Sequence, residues 1–148
     1  TLSKAYGMAG FRVGWGLFPA QISAEVRKVM NPNNVSAPSQ AAAQAAVLDQ
    51  AFMKETCTMT GALREEATDA LRRVGFKVLT SATNFVLILF DSENAAQSAD
   101  ASLRAKGVCL RRQQGAGLPH ALRMTIGPEP ETQMAIAHLQ SWHKEHSA

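Results

Sequence analysis

The segment Thr1–Trp15 reads TLSKAYGMAGFRVGW and holds the densest chemistry in the chain. A hydroxyl, Ser3, and an amine, Lys4, stand side by side just ahead of a turn carrying Gly7 and Gly10. Arg12 follows eight residues after Lys4. A turn that folds Arg12 back beside Ser3 and Lys4 builds a compact anion site: a guanidinium fork and a hydroxyl suited to a phosphate, with an amine one reach away. An amine near other cations, or desolvated, has a lowered pKa and suits covalent chemistry with carbonyl groups. Taken alone, a Ser-Lys pair in a glycine-rich loop is an ordinary surface feature.

Outward from this segment, Phe11, Val13, Trp15 and Leu17 alternate with Arg12, Gly14 and Gly16, and period two predicts a strand over Arg12–Phe18 ended by Pro19. Such a strand needs a sheet, which the pattern places upstream of Thr1. Ile22, Val26, Val29 and Met30 predict a helix from Ala20 or Gln21 to Met30, followed by a turn at Asn31–Asn34. Ser36 or Ser39 caps an alanine-rich helix. An apolar stripe from Phe52 to Val74 continues helically to a stop at Gly75, with a bend rather than a break between Asp49 and Lys54.

From Phe76 onward the pattern is that of a small α/β unit. Phe76–Leu79 reads as a short strand. Asn84–Phe90 (NFVLILF) reads as a central strand covered on both faces, because its apolar run is continuous. Asn94–Lys106 reads as a helix stopped by Gly107, Val108–Arg111 and Ala121–Ile126 as strands, and Glu131–Lys144 as a final amphipathic helix with Pro130 in its first turn.

Composition bounds the function. Of 148 residues 46% are hydrophobic, enough for a buried core, and the 18% charged are too few for a disordered chain. The net charge of +3 comes from scattered pairs such as Arg27-Lys28 and Arg72-Arg73, not from the basic stripe that nucleic acid requires. No apolar run approaches the ~20 residues that span a bilayer, so no membrane partner is expected. Cys57 and Cys109 lie in no metal-binding spacing and read as buried or half-buried free thiols of a reducing, cytoplasmic compartment. His138, His143 and His146 stand at i, i+5 and i+8, not at the i, i+4 spacing of a helical metal pair, so no metal site is expected.

The whole string Thr1–Trp15 resembles the Schiff-base lysine region of the class I/II pyridoxal-phosphate-dependent aminotransferases, and most of all their histidinol-phosphate branch. Further segments resemble the same family in the same order: Asn34–Ala43 (NVSAPSQAAA), Ala82–Phe90 (ATNFVLILF), Gly107–Arg112 (GVCLRR) and Gly117–Gly127 (GLPHALRMTIG). The resemblance implies a fold-type I arrangement of mixed α/β class. Residues 1–35 are then a C-terminal remnant of the cofactor-binding large domain, 36–75 linking helices, and 76–148 a small C-terminal α/β domain.

The resemblance also implies that Lys4 carries pyridoxal 5'-phosphate and moves the catalytic proton. Ser3 and Arg12 then hold the cofactor phosphate, with Thr1 as an added hydroxyl. Arg123 binds the substrate's carboxylate or phosphate, and Arg111 the anionic substrate end. Both arginines alternate with apolar residues on short strands, and bidentate anion recognition favours arginine; otherwise Arg111 and Arg112 read as edge-strand charges. Implied partners are a small-molecule amino donor and 2-oxoglutarate, with a homodimer in the full-length protein and a place in histidine biosynthesis. Asn33 and Ala116 depart from the branch's pattern near the substrate region, which leaves open an aromatic amino-acid aminotransferase or a phosphothreonine decarboxylase. In this family the remaining cofactor contacts precede the lysine and are outside this sequence, so the chain by itself is expected to be almost inactive, and a non-catalytic truncated domain is the other reading.

Overall fold

A computed structural model describes residues 1–146; the last two residues of the expected C-terminal domain lie outside it. The chain forms two compact units, Thr1–Cys57 and a second from Thr58 onward, with the boundary inside the helix Gln50–Arg73.

The first unit holds a 3-10 turn at Ala9–Phe11, α1 (Ala20–Val29), α2 (Ala37–Leu48) and the start of α3 (Gln50–Arg73). α2 starts where Ser36 accepts a hydrogen bond from the Ser39 backbone N–H, with proline in the first turn, so two local signals agree. The chain breaks between α2 and α3 at Asp49, whose ψ of 72° leaves the helical region, and the Asp49 carboxylate accepts from the Phe52 N–H at 3.0 Å. The expected bend is thus a break with its own cap. The expected strand Arg12–Phe18 does not form. Arg12 adopts the left-handed conformation (φ 55°, ψ 44°), and residues 13–18 join no sheet among the described residues. Alternation marks a strand only where a neighbour accepts the backbone hydrogen bonds; here Trp15 and Leu17 stay exposed.

The second unit holds the rest of α3, β1 (Lys77–Val78), β2 (Phe85–Leu89), α4 (Glu93–Ala105), β3 (Arg111–Gln113), a 3-10 turn at Gln114–Ala116, β4 (Leu118–Thr125) and α5 (Glu129–His146). The strands form one antiparallel sheet in the order β1-β2-β4-β3. Val86 and Ile88 of β2 and Leu122 and Met124 of β4 share a core with Leu71 of α3, Ala96, Ala99 and Leu103 of α4, and Ile136, Leu139 and Trp142 of α5. Phe85, Leu87 and Leu89 point to the other face and are only half-buried. The strand is central as expected, but one of its faces, not both, is sealed. An antiparallel sheet tolerates a single covered face.

α3 stops at Gly75, whose φ of 109° no side chain adopts comfortably. Arg72 then ties the helix to β1, donating through Nη2 to the Val78 carbonyl at 2.6 Å. Ser92 caps α4 by accepting from the Ala95 N–H. Asp100 is buried and accepts Arg104 Nε at 3.0 Å on both oxygens; that hydrogen bond raises the Arg104 pKa further above its ordinary value. The third expected strand, Val108–Arg111, lies later, at Arg111–Gln113. Both cysteines are exposed, not buried or half-buried. No helix among the described residues is long and apolar enough to cross a membrane.

Candidate active site

Five side chains were singled out by sequence, and the structure places them in two local settings. Ser3, Lys4 and Arg12 lie in the N-terminal loop. The Leu2 N–H donates to the Val13 carbonyl at 3.1 Å, and the Met8 N–H donates to the Leu2 carbonyl at 3.1 Å. These bonds close residues 2–13 on themselves, so Ser3 and Arg12 flank one backbone pair. Between them the Gly7 N–H donates to the Lys4 carbonyl at 2.9 Å, and Gly7 takes a φ of 66° that suits glycine. The turn leaves Lys4 exposed, and it forms no ion pair among the described residues.

Around Ser3 the local geometry is tight. Thr1 Oγ1 donates to Ser3 Oγ at 2.8 Å, so the two hydroxyls form one cluster. A side chain on Gly14 would come within 3.3 Å of the Thr1 Cα, a tight approach that would push the two segments apart by a few tenths of an ångström. Arg12 is the sole non-glycine residue with positive φ among the described residues, and its Nη1 donates to the Ala9 carbonyl at 2.9 Å. A left-handed arginine costs roughly 1–2 kcal/mol, and such strain gathers where a side chain must be aimed. No sequence signal announces that conformation at an arginine.

Arg111 and Arg123 lie in the second unit. The register sets them directly opposite each other across β3 and β4, with Leu87 next in the same row on β2. Like charges at opposed positions destabilise a strand pair. Neither arginine forms an ion pair among the described residues. The Arg123 guanidinium carbon sits 5.0 Å from the centre of the Phe85 ring, which holds it by a cation–π contact. Its Nε is buried and has no hydrogen-bond partner among the described residues, although buried donors are nearly always satisfied. A cleft of about 390 Å³ is lined by both arginines together with Cys109, Thr125, Glu131 and Met134, a size suited to a small ligand. The pair can therefore hold an anion that neutralises both cations.

Arg112, which the sequence presents as an edge-strand charge, is half-buried instead. It pairs with Leu122 on the helix-covered face, and its Nη2 stands 3.6 Å from the Glu93 carboxylate. The sequence carries a faint signal for this, since adjacent residues of a strand face opposite sides. No group of three or more metal-ligating side chains occurs among the described residues.

The model of the family "Aminotransferase class I and II" matches residues 1–139. Histidinol-phosphate aminotransferase of Rhodopseudomonas palustris (strain BisB5) is 40% identical over 144 residues, covering 96% of this chain and 40% of that protein. The enzyme of the same name from Nitrobacter hamburgensis is 39% identical over the same length, with the same coverage. The chain thus spans about two fifths of the length of these curated relatives. Among solved structures, histidinol-phosphate aminotransferase from Sinorhizobium meliloti in complex with pyridoxal-5'-phosphate superposes with a TM-score of 0.88 at 29% identity, covering 98% of this chain and 40% of that one. The mixed α/β architecture is accordingly that of the fold-type I aminotransferases. With the family model matched from Thr1 to Leu139, the chain belongs to the class I and II aminotransferases.

Proposed function

We propose that this chain is the C-terminal part of a pyridoxal-phosphate-dependent aminotransferase that takes histidinol phosphate as amino donor and 2-oxoglutarate as acceptor. The observation that carries the anionic substrate is the pair Arg111 and Arg123, opposed across β3 and β4 and in no ion pair among the described residues. A phosphate monoester supplies two charges and planar-matched oxygens to such a fork.

The N-terminal loop fits the cofactor by its donor types. Ser3 and Arg12 flank the Leu2–Val13 backbone bond and offer a hydroxyl and a guanidinium, the groups a phosphate takes. Lys4 between them offers an exposed amine. Bound there, pyridoxal phosphate supplies an electron sink for the carbon that loses its proton. Lys4 Nζ would hold the cofactor and, once released by the substrate amine, would be the base that moves the proton. Ser3 and Arg12 fix the phosphate end, and Thr1 orients the Ser3 hydroxyl through their shared hydrogen bond. Arg111 and Arg123 orient the substrate by its charged groups. A homodimer of the full-length protein and a cytoplasmic site of action belong to the same reading.

Incubating the chain with pyridoxal phosphate, reducing with borohydride and mapping the product by mass spectrometry tests Lys4. Label on the Lys4 peptide that disappears in Lys4→Ala is expected; equal labelling of the variant removes Lys4 from its role. Substrate is decided by amino transfer in a longer protein that carries this chain in frame. Turnover of histidinol phosphate well above that of phenylalanine and tyrosine is expected. The reverse order assigns the chain to an aromatic amino-acid enzyme.

A further inference from the structure

The opposed arginines raise a mechanical question: what keeps the edge strand that carries Arg111 in register against its like-charged neighbour. β3 is only three residues long, lies at the sheet edge, and its register shifts between Arg112 and Gln113. Backbone pairing this short is weak, and repulsion between Arg111 and Arg123 opposes it.

A single carboxylate gathers the elements on either side of that irregularity. Glu93 opens α4, where the helix dipole favours an acidic group. Its Oε1 accepts Gln97 Nε2 at 2.9 Å from the next turn of the same helix, which fixes the carboxylate itself. The same oxygen accepts Gln114 Nε2 at 3.0 Å from the turn that follows β3. Arg112, within β3, brings its Nη2 to 3.6 Å of it. Because adjacent strand residues face opposite sides, drawing Arg112 toward α4 turns Arg111 to the open face where Arg123 lies.

We propose that Glu93 is a positioning residue that holds Arg111 opposite Arg123 by clamping Arg112 and Gln114 to α4. The proposal rests on the reading of the two arginines as an anion site. Glu93 touches neither of them; it acts through Arg112 and Gln114, and Gln113 adds a local tie by donating from Nε2 to the Arg111 carbonyl at 3.1 Å. The clamp gives Arg112 a use distinct from that of its neighbour: Arg111 faces the ligand and Arg112 faces the fold.

The test is titration of the full chain with inorganic phosphate, followed through the Nε–Hε resonances of Arg111 and Arg123, alongside amide exchange in β3. Arg111→Met is expected to weaken phosphate binding about tenfold, the worth of a charge-assisted contact. Glu93→Ala is expected to weaken it about threefold, as loss of a half-exposed tie implies, and to speed exchange of the β3 amides. Glu93→Gln keeps an oxygen for both glutamine donors but loses the charge that draws Arg112, and recovers only part of the affinity. Gln114→Ala, a change on an exposed side chain, shifts affinity in the same direction as Glu93→Ala. Parent affinity in Glu93→Ala, with Arg111→Met impaired, overturns the clamp alone. Parent affinity in Arg111→Met overturns the anion reading, and unchanged β3 exchange in Glu93→Ala then overturns the clamp independently.

Discussion

The two units of this chain use the same residue types and reach opposite degrees of burial. The unit beginning at Thr58 holds every member of the hydrophobic core, from Leu63 to Trp142. The unit Thr1–Cys57 buries only Leu2 and Met8 among its apolar side chains and leaves Phe11, Trp15, Leu17, Ile22, Val29 and Leu48 exposed. α1 shows the contrast best: its apolar stripe has helical spacing, yet no residue of the helix is buried. Periodicity creates a face, and only a neighbouring element turns that face into a core. Stability in this chain is therefore concentrated in one unit, while the loop that carries Lys4 belongs to the other.

That contrast can be broken at several points. The largest effect is expected from Ile88→Ala, at a fully buried position of β2: about 2–5 kcal/mol lost in urea unfolding of the second unit. Val29→Ala, at a position 87% exposed on α1, should change stability by less than about 0.5 kcal/mol. Equal losses at the two positions would erase the distinction between the units. Gly75→Ala comes next. It forces a side chain onto φ 109° and sets a Cβ 3.0 Å from His143 Nε2, and about 1–3 kcal/mol is expected. If a melt of that variant matches the parent, α3 is not stopped by backbone conformation.

The two serine caps sharpen the comparison further. Ser92→Ala removes the acceptor for the Ala95 N–H and should lower the second unit's stability by about 1 kcal/mol. Ser36→Ala removes the equivalent bond to the Ser39 N–H. It should reduce helicity by circular dichroism while leaving the second unit's transition where it was. The smallest change in stability, under about 0.5 kcal/mol, is expected of Lys4→Ala, whose side chain is exposed; calorimetry on the variant checks that its loss of cofactor labelling is chemical and not a folding defect.

What could be read from sequence follows the range of the interaction. The Ser36 cap, the Gly75 stop and the apolar strand Phe85–Leu89 depend on neighbours a few residues away, and each lies where the pattern places it. The Arg12–Phe18 alternation misleads because a strand is defined by a partner, and none of its residues says whether one exists. The second face of β2 misleads for a related reason: an apolar run fits either a doubly covered strand or one with a half-buried face, and only the sheet order decides. Arg111 and Arg123 are visible as two arginines on strands, but their direct opposition depends on the pairing register of β3 with β4, which no local rule reveals. The burial of Arg112 and the gathering of donors on Glu93 were hidden for the same cause, since Glu93 and Gln114 are far apart in sequence.

The aromatic packing of α5 has an optical consequence. Trp142 is 6% exposed, stacks with Phe76 and donates from Nε1 to Ser98 Oγ at 3.2 Å, whereas Trp15, the other tryptophan, is 78% exposed. One indole emits from a dry aromatic setting and the other from water. Their fluorescence therefore separates by colour and by quencher access, and each unit carries its own built-in reporter. In Trp15→Phe the remaining emission follows the core alone, and in Trp142→Phe it follows the surroundings of the Lys4 loop alone.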